Sequence, residues 1–147
     1  MLGPPLVLPE SPEGLSETTN IIWKILSGQD IPADPSGPAT SHVDVRDVAR
    51  VHLWAAEHGQ EANGQRYLVI AGLQSNQAIA DILRKQYPTR RNIIKEGNPG
   101  KGYPTDFQYP KGGIEFDSSK AVKATGENWI GFEKTVIDAA KAFERYL

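Results

Sequence analysis

Cysteine is absent from the chain, which excludes disulfides, thiolate metal sites and a cysteine nucleophile. Long apolar runs are absent too. Nothing approaches the roughly 20 residues of a spanning helix, and Met1 to Leu8 lacks the basic start and long apolar core of a signal peptide. The sequence therefore reads as a soluble, cytoplasmic chain without a membrane partner. Neither sign of charge dominates: 16 basic against 18 acidic residues leave a formal charge of −2, too balanced for the electrostatic footprint of a nucleic-acid partner. Lys85, Arg90 and Arg91 cluster around Tyr87-Pro88 and read as a solvated helix end, where positive charge complements the helix dipole. No Gly-x-Ser-x-Gly or His-Glu-x-x-His sequence occurs, so hydrolase chemistry has no support. A chain of 147 residues suits one domain that buries a core without staples.

The patterning that remains predicts an α/β chain of mixed helices and few strands. Leu2-Gly3-Pro4-Pro5-Leu6 has no helix or strand period and makes a turn. Ser16 caps a helix with apolar positions Ile21, Ile22, Ile25 and Leu26, stopped at Gly28. Asp30 to Thr40, with Pro32, Pro35, Gly37 and Pro38, reads as an ordered loop. A strand with Val43 and Val45 on one face then turns into a helix from Asp47 to His58, whose face carries Val48, Val51, His52 and Ala55. Gln65 to Ala71 shows little polar alternation, the pattern of a strand covered on both faces. Ser75 caps a helix with Ala78, Ile79, Ile82 and Leu83 that ends before Pro88. Arg90 to Phe116 is irregular apart from a short strand around Ile93-Ile94. Asp117 caps a brief helix stopped at Gly126, and a last helix carries Phe132, Val136, Ala139, Ala140 and Phe143.

Candidate chemistry is sparse. His42, His52 and His58 lack the usual metal-ligand spacing, and His52 among Val48, Val51 and Ala55 reads as a buried, hydrogen-bonded structural histidine. Asp44 and Asp47 could form a catalytic carboxylate pair, but their place at a helix start favours a cap and a first-turn dipole partner. Gly97-Asn98-Pro99-Gly100-Lys101-Gly102 has glycines enough for a phosphate loop. No full strand leads into it, however, since Ile93-Ile94 is too short, and Tyr103-Pro104 prevents a helix from opening.

The segment Val43-Asp44-Val45-Arg46-Asp47-Val48-Ala49-Arg50-Val51-His52 closely resembles the Val-Asp-Val-Arg-Asp-Val-Ala-x-x-His segment of the extended short-chain dehydrogenases/reductases. That branch holds dihydroflavonol reductases and fungal NADPH-dependent methylglyoxal and aldehyde reductases. The resemblance continues in order through Gly3-Pro4, Asn20, Gly64-Gln65-Arg66-Tyr67, Ser75 to Pro88, Asp117 to Ala121 and Phe132 to Asp138. It implies the carboxy-terminal, substrate-binding half of an extended Rossmann-type reductase over residues 1–147, with the glycine-rich cofactor half missing. In that family NADP binds a glycine-rich turn, and a tyrosine with a lysine four positions on supplies a proton to the carbonyl. Here Tyr67, Tyr87, Tyr103 and Tyr109 are followed at that spacing by Ala71, Arg91, Phe107 and Gly113, so no catalytic residue is assigned and no tight NADP binding by this chain alone is expected. The resemblance places Gly3 and Pro4 near the cofactor, and Pro5, Asn20, Gly100, Tyr103 and Tyr109 at the substrate pocket. It implies a small aldehyde or ketone as substrate and a separate amino-terminal half as a partner. Two other readings stay open: a shortened non-redox descendant that binds a small molecule or partner, and a cyclase or isomerase that reuses the pocket.

Overall fold

The computed structural model describes residues 1–34, 40–112 and 115–147. Its core is three helices whose apolar stripes face one another: α1 (Glu17–Leu26), α4 (Asn76–Gln86) and α6 (Phe132–Phe143). Ile22, Ile25 and Leu26 meet Ala78, Ile79, Ile82 and Leu83, and Phe132, Val136, Ala139, Ala140 and Phe143 close the third side. These are the positions the helical period selects, because spacings of three and four residues put side chains on one face. Gly28 and Gly126 take φ of +92° and +72°, the left-handed stops expected of them. Ser16 and Ser75 occupy cap positions, yet neither side chain caps: Ser16 bonds Thr19, and Asp34 accepts the Asn76 N–H in place of Ser75. The cap of α5 (Ser119–Thr125) is Ser118, one residue beyond Asp117, whose carboxylate still accepts the Ser119 N–H at 2.9 Å.

The sheet is smaller than the sequence suggests. β1 (Thr40–His42) pairs antiparallel with β2 (Gly72–Gln74), with His42 opposite Gly72 and Ser41 opposite Leu73. Leu2 adds a parallel bridge beside β1, exchanging bonds with Val43 O and Val45 N. Val43 lies beyond the strand and Val45 opens α2 (Val45–Glu57), because the Asp44 carboxylate accepts the Arg46 N–H and starts the helix there. A single turn, α3 (Gly59–Ala62), follows.

Gln65 to Ala71 is not a strand. Its chain is without a ladder: Gln65 N bonds Ala62 O, Ala71 N bonds His42 O, and between them, among the described residues, only Ile70 finds a partner, the Ser118 hydroxyl, which takes its N–H and donates to its carbonyl. Nor is it covered on both faces, since Leu68 is 41% exposed. β-branched and aromatic residues favour extended backbone, but a strand also needs a neighbouring chain, and no strand lies beside this segment among the described residues. Ile93-Ile94 is a turn rather than a strand: both N–H groups bond Arg90 O after a 3₁₀ turn at Pro88–Arg90. The proposed loop from Asp30 to Thr40 lies partly outside the described residues, at positions 35–39.

Candidate functional site

The Val43 to His52 junction is a structural clamp. Asp44 is fully buried and its carboxylate accepts four hydrogen bonds: from Arg46 N, Nε and Nη2, and from the Thr135 hydroxyl of α6 at 2.7 Å. Arg46 also reaches Asp138 at 2.7 Å, so α2 is tied to α6 twice, once by this guanidinium and once by the Thr135 hydroxyl on Asp44. Burial pushes the Asp44 carboxyl up, but the bonds from Arg46 and Thr135 outweigh it and hold the group below the usual carboxylate range. Asp47 goes the other way. It accepts the Ile130 N–H at 2.9 Å and has the Arg50 guanidinium at 2.9 Å, yet burial leaves its carboxyl raised. Neither carboxylate is free to act on a substrate; the pair caps and docks a helix.

His52 is exposed, not buried. Its Nδ1 lies 2.8 Å from Val48 O, a bond along its own helix, because α2 buries only Asp47 and Val51 and turns the His52 side to solvent. The buried histidine is His42, 4% exposed at the end of β1; its ring nitrogens are closed off beside the Gly72 and Leu73 backbone, and neither meets full hydrogen-bond geometry with a partner among the described residues. Burial is the main force lowering its pKa, with the backbone at Gly72 and Leu73 opposing it, so the imidazole is held neutral.

His42 lines a cleft of about 660 Å³ between the loop at Thr105–Gln108 and the Asn128–Lys134 turn that opens α6. Phe132 packs on the His42 ring at 4.8 Å, Phe107 packs on Phe132 at 4.8 Å, and Tyr103 stacks on Phe107 at 5.6 Å. Phe107 takes φ of +57°, where a side chain is strained. Its carbonyl bonds Leu73 N at 2.7 Å and fixes the loop against β2. Gly72 permits that approach, since a Cβ there would lie 2.5 Å from Phe107 O.

Of the residues the resemblance puts at the site, Gly100 and Tyr103 come together on Asp81: Gly100 N and the Tyr103 hydroxyl both donate to its Oδ2, at 2.8 and 2.7 Å. Burial and that bond raise the Tyr103 phenol to about 12, so it is a poor proton donor. Tyr109 packs on Phe116, lines an adjoining hollow with Ala71 and Trp129, and has its phenol raised by burial. Gly3, Pro4, Pro5 and Asn20 lie apart from the cleft. Gly3 is buried, and a Cβ there would meet the Asp44 carboxylate at 3.0 Å, so its small size serves the clamp. Pro4 and Pro5 are half-buried and lead to Leu6 and Val7, which are fully or largely exposed. Asn20 is half-buried on α1. Phe132 opens the last segment of the resemblance and a core stripe, with no sign of a place in a cleft; His42 lies beside the polar residues Thr40 and Ser41 and carries no motif.

A dinucleotide does not fit the glycine cluster of this chain. In Gly97 to Gly102 the N–H groups of Asn98 and Gly100 are taken by Gln77 and by the Asp81 carboxylate, which would repel a phosphate. No group of acidic, histidine or cysteine side chains that could hold a metal occurs among the described residues.

No family model matches the sequence. Among curated proteins, an oxidoreductase of Schizosaccharomyces pombe is 31% identical over 143 residues, 95% of this chain and 38% of that protein. A ketoreductase of Aspergillus niger is 34% identical over 94% of this chain and 41% of its own length. Among solved structures, the yeast methylglyoxal/isovaleraldehyde reductase complexed with NADPH superposes with a TM-score of 0.72 at 25% identity, covering 99% of this chain and 41% of that one. The chain spans about two fifths of the length of each of these proteins. Sequence order, helix packing and these relatives agree: the chain belongs to the extended short-chain dehydrogenase/reductase family and corresponds to its carboxy-terminal half.

Proposed function

We propose that this chain is the substrate-side half of an NADPH-dependent reductase of small aldehydes or ketones, completed by a cofactor-binding half that it does not itself contain. The observation that carries the reading is the match along nearly the whole chain to proteins named as oxidoreductase and ketoreductase and to the solved structure of a methylglyoxal/isovaleraldehyde reductase. The unpaired segment supports it. Backbone groups from Arg66 to Val69 lack partners among the described residues and Leu68 is exposed beside them, a surface suited to an added strand. Leu6 and Val7 expose apolar area next to Pro4 and Pro5, where the cofactor half would seat, with Gly3 and Pro4 toward the nicotinamide and Pro5, Asn20, Gly100, Tyr103 and Tyr109 toward the pocket.

In this arrangement NADPH would supply the hydride when held by the other half. This chain binds and orients the carbonyl compound, excludes water with its aromatic cluster and holds the loop from Gly100 to Tyr109 in place through Asp81 and Leu73 N. It supplies no proton donor. The test mixes the chain with the amino-terminal half of the yeast methylglyoxal reductase and follows loss of reduced-nicotinamide absorbance with methylglyoxal. Turnover is expected from the mixture and from neither part alone, and calorimetry should show no micromolar NADPH binding by this chain. An inert mixture of two folded, associated halves refutes the reading.

A further inference from the structure

Asn63 and Gly64 form the one Asn-Gly pair of the chain, and it sits in a turn that leaves the bond between them untied. Asn63 leaves α3 with φ of −60° and ψ of 129°, Gly64 follows at φ of +69°, and Ala62 O accepts the Gln65 N–H at 3.0 Å, the pattern of a type II turn. Both central residues are exposed. The peptide unit that joins them, made of the Asn63 carbonyl and the Gly64 N–H, has no hydrogen-bond partner among the described residues. It can rotate without breaking a bond, because glycine takes either sign of φ and the bond that closes the turn runs from Gln65 to Ala62, outside the rotating unit. No atom lies within 4 Å of where a Gly64 Cβ would stand.

The other asparagines are each held back. Asn20 lies within α1. Asn76 is buried and its amide donates to Pro32 O at 3.0 Å. The N–H after Asn92 is bonded to Arg90 O at 2.9 Å, and Asn98 is followed by Pro99, which has no N–H. Asn128 has its carbonyl on Arg50 and the bulky Trp129 after it.

We propose that Asn63-Gly64 is a site of self-modification, at which the chain converts its own asparagine to a mixture of aspartate and isoaspartate. Once the peptide plane has turned, the Gly64 nitrogen, losing its proton, attacks the Asn63 Cγ and closes a five-membered imide. The bond from Cγ to the side-chain nitrogen breaks, and that nitrogen leaves as ammonia with the proton. Water then opens the imide at either carbonyl, so the net change is one water taken up and one ammonia released. Both products add a negative charge. The isoaspartate also routes the backbone through a side-chain methylene, two residues before the open segment at Arg66 to Val69. The site goes beyond the reductase reading and needs neither a cofactor nor a second half.

The test incubates the folded 147-residue chain at neutral and mildly alkaline pH and maps the replacement of –NH2 by –OH by peptide mass spectrometry. An isoaspartate-specific methyltransferase counts the rearranged product. Conversion should concentrate at position 63, quicken with pH, give both products, and run at least about tenfold faster than at Asn92, where one hydrogen bond must first be lost. Because the turn loses no bond, the folded chain should react within about tenfold of the rate in urea. Asn63→Gln, which cannot close the five-membered ring, should leave the position unchanged over the same period. An intact Asn63, aspartate as the sole product, equal conversion at Asn92, or a folded chain protected by far more than tenfold overturns the proposal. A chain inert in every reductase assay that still converts at position 63 leaves the site standing and removes only the reductase reading.

Discussion

Replacing Asp44 tests the clamp that joins α2 to the three-helix core. A helix cap alone contributes about 0.5–2 kcal/mol, and the sequence supports no more than that. The structure raises the figure. In Asp44→Ala the Arg46 N–H loses its cap, and the buried Thr135 hydroxyl loses its acceptor, a further cost of about 1–3 kcal/mol. Arg46 adds little, because its guanidinium is partly exposed and keeps Asp138, so its share is that of a surface pair, about 0–1 kcal/mol. The terms share one carboxylate and do not simply add, which points to about 3 kcal/mol in all. Asp44→Asn keeps the shape and an acceptor, and should cost about 1 kcal/mol. Urea unfolding followed by circular dichroism measures both, with the loss read from the midpoint at constant slope. Thr135→Val in the Asp44→Ala background should cost far less than Thr135→Val alone, since its partner is already gone. The pH dependence has a definite sign. The folded carboxyl lies below its ordinary value, so its stabilisation is present above the unfolded pKa, near 3.8, and disappears as pH falls through the folded one. Asp44→Ala should therefore differ most from the parent at neutral pH and least in strong acid. A loss under 1 kcal/mol, or additive Asp44 and Thr135 substitutions, would refute the clamp.

Three further outcomes are expected. Gly72→Ala should destabilise by about 1–3 kcal/mol, because its Cβ would lie 2.5 Å from Phe107 O and displace the cleft loop, whereas Gly131→Ala, with open space around it, should stay within about 0.5 kcal/mol in the same melts. Ser118→Ala removes both bonds to Ile70, and amide exchange at Ile70 should quicken by about tenfold, as loss of one or two net hydrogen bonds implies; unchanged exchange would show the segment is held otherwise. His42, lowered by burial, favours the folded state fully above the unfolded value near 6.5 and less as pH falls below it, so the stability of the chain relative to His42→Phe should drop between neutral and mildly acid pH, and parallel curves would place the imidazole in water.

The sequence by itself determined the helices, their glycine stops and the family. Helical spacing picked Ile22, Ile25, Val136 and Phe143 for the core, because a stripe that buries apolar area is written every three or four residues. Gly28 and Gly126 announced their stops through a backbone conformation that glycine adopts without strain. Pairing was decided elsewhere. Gln65 to Ala71 has the composition of a covered strand, but a ladder requires a second chain, and only the tertiary structure shows that hydrogen bonding passes to Gly72–Gln74 and leaves Arg66 to Val69 open. Burial of the histidines was decided there as well. His52 carries the apolar spacing and faces solvent, while His42, alone at a strand end, is enclosed by Gly72, Phe107 and Phe132. Those neighbours lie 30 to 90 positions away in the chain, and local period cannot report a contact made across that distance.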